Sequence, residues 1–151
     1  MADITVEGLA GKEEQLPDAF GPGFYLSADA VKDAVRRHSS FNIINVDTGF
    51  KVDVFVPHDT PFERSALARR RTVTMPDQPD EPIVLYSPED VILFKLRWYR
   101  LGNEVSAQQL QDVRGVFRSQ GDSLDQAYLD HWAADLGVSD LLRRAREESA
   151  V

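Results

Sequence analysis

Ser87-Pro88-Glu89-Asp90-Val91-Ile92-Leu93-Phe94-Lys95-Leu96-Arg97-Trp98-Tyr99-Arg100-Leu101-Gly102 reads as one capped amphipathic helix. Ser87 supplies the N-cap oxygen, Pro88 takes the first helical position, and Asp90 completes a spacing like that of a capping box. Gly102 can end it. On a wheel of about 100° per residue, Val91, Ile92, Trp98 and Tyr99 fill one arc with Lys95 at its centre. Leu93, Phe94, Leu96 and Leu101 extend the apolar surface, while Arg97 and Arg100 point away. A lysine so placed can run along its stem to water, pair with a buried carboxylate, or meet an anionic ligand in a polar cleft. Two carboxylates are candidates for the pairing. Asp112 edges the apolar stripe Leu110, Val113, Val116, Phe117 of the following helix, and Asp53 interrupts a strand on a face shared with Phe55.

Working outward, everything after this helix is helical. Ser106 with Gln109 repeats the capping box for a helix to about Gln120. Asp122 or Ser123 opens another, with Leu124, Tyr128, Trp132 and Leu136 at i+4 spacing, and Ser139 opens the last through Leu141, Leu142 and Ala145. On the N-terminal side the reading changes to strands. Ala2–Glu7 alternates, and Ser27 caps a helix to about His38. Phe41–Val46 and Lys51–Val56 form a hairpin around Asp47-Thr48-Gly49-Phe50, where glycine supplies the positive φ of a tight turn. Phe62–Arg70 is predicted helical, with Thr72–Met75 and Ile83–Tyr86 as short strands around a Pro/Asp-rich loop, Pro76–Pro82. Strands first and helices last predict an α+β fold in one domain, 1–151. A small mixed or antiparallel sheet with two helices fills 1–86, and about four helices form a subdomain over 87–151.

Composition bounds the function. The protein has 151 residues, 42% hydrophobic and 28% charged, with a net charge of −8. A general nucleic-acid binder needs a basic face, so that class is disfavoured. No apolar stretch nears the ~18 residues of a membrane helix, and the N-terminus has no signal-peptide pattern, so a cytoplasmic location is expected. The absence of cysteine excludes disulfides and thiolate chemistry. Sixteen aspartates against four lysines make an acidic surface that serves solubility or salt adaptation.

Three motifs together resemble the nucleotidyltransferase superfamily, in its minimal and abortive-infection-type branches. They are Lys51-Val52-Asp53-Val54-Phe55, Ser87 through Leu96, and Asp112-Val113. The resemblance implies that Asp53 is a strand-borne metal-binding and catalytic carboxylate, that Lys95 contacts nucleotide phosphates, and that Asp112 supports the nucleotide site. Mg²⁺ and a nucleotide are the implied cofactors. The family's opening Gly-Ser is not present, and its Asp-x-Asp falls on Asp3-Ile4-Thr5, leaving Asp3 with Asp53 as a weak metal pair. Three expectations follow. The first is a degenerate domain kept for nucleotide or partner binding. The second is an active enzyme whose missing motif lies upstream. The third is an interaction module of the toxin–antitoxin kind, with a protein partner or a second copy.

Other motifs carry less. Asp47-Thr48-Gly49 matches the aspartic-protease tripeptide but sits where a turn is wanted, followed by the bulky Phe50. His38, His58 and His131 lack metal-ligand spacing. Arg69-Arg70-Arg71 ends a predicted helix, where cations suit the dipole. Trp98, Tyr99, Tyr128 and Trp132 are expected in the core.

Overall fold

The computed structural model describes residues 2–150 and falls into two compact units, Met1–Glu63 and Arg64–Val151. It is a mixed α/β protein with seven α-helices, a four-stranded sheet and a separate two-stranded sheet among the described residues. No helix among them is long and apolar enough to cross a membrane.

The first unit is built on alternation. It contains β1 (Ala2–Thr5), α1 (Leu16–Phe20), β2 (Phe24–Tyr25), α2 (Ala28–Arg37), β3 (Ser40–Asn45) and β4 (Lys51–Phe55). The sheet order is β1-β4-β3-β2, with β1 parallel to β4 and the other pairs antiparallel. The β3–β4 turn forms as its sequence asks. Asn45 Oδ1 accepts from the amides of Asp47 and Thr48 at 3.1 and 2.9 Å, and Gly49 takes φ 68°. Alternate residues Phe41, Ile43 and Val54 point to one face and pack with Val31 and Ala34 of α2 and with Leu9. Ser27 caps α2 by accepting from the Ala30 amide. The short α1 and the two-residue β2 have no counterpart in the sequence reading. Each is too brief to show a period.

The α3 helix (Pro61–Ala68) carries the boundary between the units. In the second unit, β5 (Arg71–Met75) and β6 (Gln78–Leu85) form an antiparallel ribbon, followed by α4 (Pro88–Leu101), α5 (Ala107–Gln120), α6 (Gln126–Asp135) and α7 (Ser139–Ser149). Here several expectations need correction. The Pro76–Pro82 segment is no loop. Only Pro76 and Asp77 turn, and Pro79 and Pro82 belong to β6, in the stretch where its register with β5 shifts between the Val73–Ile83 and Met75–Gln78 pairs, a place that tolerates proline. The third C-terminal helix starts at Gln126, capped by Asp125 accepting from the Tyr128 amide at 3.0 Å, and residues 121–123 make a 3₁₀ turn instead. Its buried stripe is Leu129 and Ala133, flanked by half-buried Tyr128 and Trp132. Ser106 bounds α5 without a side-chain hydrogen bond to its amides, and the Gln109 side chain turns to Lys95 instead.

The α4 helix is capped as its sequence implies, with Ser87 Oγ accepting from the Asp90 amide at 3.2 Å. Its wheel is not what the sequence suggests. Ile92, Leu93, Phe94, Leu96 and Tyr99 are buried, as are Glu89 and Asp90 in the first turn. A helix enclosed on more than one side has no single apolar arc, so the buried centre shifts toward Leu96. Lys95 lies at its margin between half-buried Val91 and Trp98, and Leu101 is 74% exposed. Beyond Gly102, Asn103 and Glu104 take consecutive left-handed conformations, with φ 58° and 60°.

Candidate functional site

The four residues that the resemblance assigns to a site, Asp3, Asp53, Lys95 and Asp112, fall into two local arrangements. In the first unit, the parallel register sets Asp3 opposite Asp53, and the antiparallel register sets Asn42 opposite Asp53. Residues opposite one another share a face, so Asp3, Asp53 and Asn42 form a polar row across three strands, on the side turned away from Phe41, Ile43 and Val54. Asp3 is exposed and Asp53 half-buried. Lys51, two residues along the same face, holds Nζ 3.3 Å from Asp53 Oδ1. Asp53 is therefore partnered within its own strand. Thr5 follows Asp3 on the same face, where the resemblance would want a carboxylate.

This donor set does not fit a two-metal centre. Mg²⁺ seeks near-octahedral oxygen coordination, and two-metal chemistry needs several carboxylates bridging a pair of cations. Two carboxylates stand side by side here, one already facing an ammonium. Among the described residues, no group of three or more His, Asp or Glu side chains is placed to hold a metal.

In the second unit, Lys95 and Asp112 meet. Lys95 Nζ donates to Asp112 Oδ2 at 2.8 Å and to Gln109 Oε1 at 3.5 Å, while Gln108 Nε2 donates to Asp112 Oδ1 at 2.6 Å. Of the fates open to Lys95, pairing is realised, and with Asp112. The Lys95 side chain is 18% exposed and that of Asp112 34%. Two of the three ammonium protons are used, which leaves one for an incoming anion. Lys95→Met is expected to cost no more than about 1 kcal/mol, because Asp112 keeps Gln108 and a share of solvent. Urea unfolding of the two proteins measures it, and a larger loss would show that the pair behaves as a buried one.

A third cluster is one that sequence reading misses. Arg69, just past α3, places Nη2 3.4 Å from Glu89 Oε2 and Nε 3.6 Å from Asp90 Oδ2, and its guanidinium lies 3.8 Å from the centre of the Tyr128 ring. Tyr128 donates to Asp90 Oδ1 at 2.6 Å, Ser87 Oγ donates to Asp90 Oδ2 at 2.6 Å, and Ser65 Oγ lies 2.9 Å from the Tyr128 hydroxyl. The Asp125 amide donates to Glu89 Oε1 at 2.8 Å. Burial pushes the Asp90 carboxyl above the usual range, only partly offset by Ser87, Tyr128 and Arg69. Burial acts the same way on Glu89, but the Asp125 amide, with Arg69 and Ser87, outweighs it and holds that carboxyl below its ordinary value. Burial and the Asp90 carboxylate raise the Tyr128 phenol. With a tyrosine that resists ionisation and carboxylates that accept several bonds, the cluster fastens the end of α3, the start of α4 and the start of α6. The expectation for Arg69 as a dipole-serving terminal charge is corrected: it turns inward to two acids.

Compared with known proteins, the sequence and fold match no family model, no curated protein and no solved structure.

Proposed function

We propose that the protein is a nucleotidyltransferase-like domain with a degenerate active site, kept for binding a nucleotide rather than for transferring one. The observation that carries this reading is the parallel register of β1 and β4. It sets Asp3 beside Asp53 on the sheet face away from the core, with Thr5 as the next residue on that face. A lapsed metal centre would keep such a remnant, two aligned carboxylates without the third. Lys95, the residue the resemblance assigns to phosphates, retains one uncommitted proton, and Asp112 orients it.

Thermal unfolding with ATP or CTP at millimolar concentration, with and without Mg²⁺, tests the reading. A ligand at a hundred times its Kd stabilises a fold by about 2.7 kcal/mol. The melting temperature is therefore expected to rise by several degrees, equally in both conditions, because the carboxylate set does not fit the metal pair. No rise with either nucleotide would overturn nucleotide binding. Pyrophosphate release by this protein would overturn degeneracy and favour an active enzyme.

A reading as an interaction module is favoured by a separate observation. Val73, Met75, Ile83, Val84 and Leu85 of the β5–β6 ribbon are all exposed.

A further inference from the structure

We propose that the outer edge of β5 is a homodimerisation edge, pairing antiparallel with β5 of a second copy of this protein to make one continuous four-stranded sheet. A two-stranded ribbon is marginal in water and gains its stability from a third strand or a packed face. Every residue of β5 and β6 is exposed, and the ribbon pairs with no further strand among the described residues.

The two outer edges differ. β6 carries Pro79, Asp80, Glu81 and Pro82 in the stretch where its register with β5 shifts, and irregularity, prolines and charges together blunt that edge against pairing. β5 reads Arg71-Thr72-Val73-Thr74-Met75, without proline, β-branched through its middle, and charged only at its first residue. The invitation to pair is therefore on β5.

The occupant follows from self-complementarity. A two-fold axis through Val73 sets Val73 opposite Val73 of the second copy, Thr72 opposite Thr74, and Arg71 opposite Met75. No like charges meet. The two arginines stand about 13 Å apart along the seam, beyond the screening length of ~8 Å at physiological salt, so they add little repulsion to it. Val–Val and Thr–Thr neighbours across strands are favourable pairs. The ladder also places Val73 opposite Ile83 and Arg71 opposite Leu85 on one face. That face borders a cleft of about 310 Å³ with Tyr86, Val91 and Val116. Two copies would thus carry their clefts on one face of the shared sheet.

Sedimentation of the 151-residue protein across micromolar concentrations tests the proposal. Wild type is expected to be a dimer. Val73→Lys and Val73→Glu each bring like charges opposite at the axis and are expected to weaken the dimer roughly tenfold. Their equimolar mixture sets lysine opposite glutamate and is expected to restore it. That recovery arises only if Val73 faces its own copy, and misfolded protein would not give it. Thr72 and Thr74, on the other face of β5, provide an independent pair. Thr72→Lys with Thr74→Lys is expected to be monomeric, and Thr72→Lys with Thr74→Glu dimeric. A monomeric wild type, dimers indifferent to Val73→Lys, or a mixture that stays monomeric would each overturn the proposal. Binding of a foreign extended peptide by a wild type that remains monomeric would assign the edge to another partner and overturn it as well.

Discussion

Arg69→Ala is expected to destabilise the protein by about 3 kcal/mol at neutral pH, measured by urea unfolding. Removing one member of a buried ionic group leaves the others without compensation, an effect of roughly 3–5 kcal/mol. The low end applies because the Arg69 side chain is 31% exposed. Glu89 and Asp90 are buried and Arg69 lies against both, so the variant leaves two enclosed carboxylates without that guanidinium. The pH dependence identifies the cause. Without Arg69, which lowers both carboxyls, the folded-state pKa of each moves upward. An acid whose folded pKa exceeds its unfolded value binds protons more tightly when folded, and its stability is lost as pH rises through that window. The deficit of Arg69→Ala should therefore shrink on acidification, as both carboxyls take up protons. A deficit independent of pH would mean that Arg69 acts through its packing on Tyr128 instead.

Leu129→Ala is expected to cost about 3–5 kcal/mol, as a buried leucine truncated within a helical core leaves a cavity its neighbours fill only in part. Leu129 is fully buried on α6, which packs against both α4 and α7. Leu101→Ala, by contrast, should lie within about 0.5 kcal/mol of wild type, because that side chain is already in solvent. Both are leucines on amphipathic helices, and the sequence wheel counts Leu101 as apolar surface. Chemical unfolding of the two variants under identical conditions provides the comparison. Equal losses would show that exposure does not separate them.

That pair also marks where the sequence is legible. Features written within a few residues are readable: the Ser27 and Ser87 caps, the Asn45–Gly49 turn, and the alternation of β3 and β4. A mixed sheet followed by four helices comes from the order of those signals. The Lys95–Asp112 pairing is readable as one choice among several, since a short connection makes adjacent helices antiparallel neighbours. What stays hidden depends on distant parts of the molecule. Arg69 sits where a helix ends, and nothing local tells that its charge turns toward Glu89, Asp90 and Tyr128. One signal is present: two adjacent acids open a helix whose apolar residues nearly encircle it, so those acids would be enclosed too. Gln109 looks like half of a capping box and is instead a partner of Lys95, because a side-chain cap and a tertiary hydrogen bond compete for one amide group.

The parallel pairing of β1 with β4 bears on the order in which the first unit assembles. β3 and β4 are joined by a tight turn and can zip together early, while β1 must close a loop of about fifty residues to reach β4. The hairpin therefore has to exist before β1 has an edge to join. The alignment of Asp3 with Asp53 is then expected to follow the hairpin, and β1 to part from β4 before the hairpin opens.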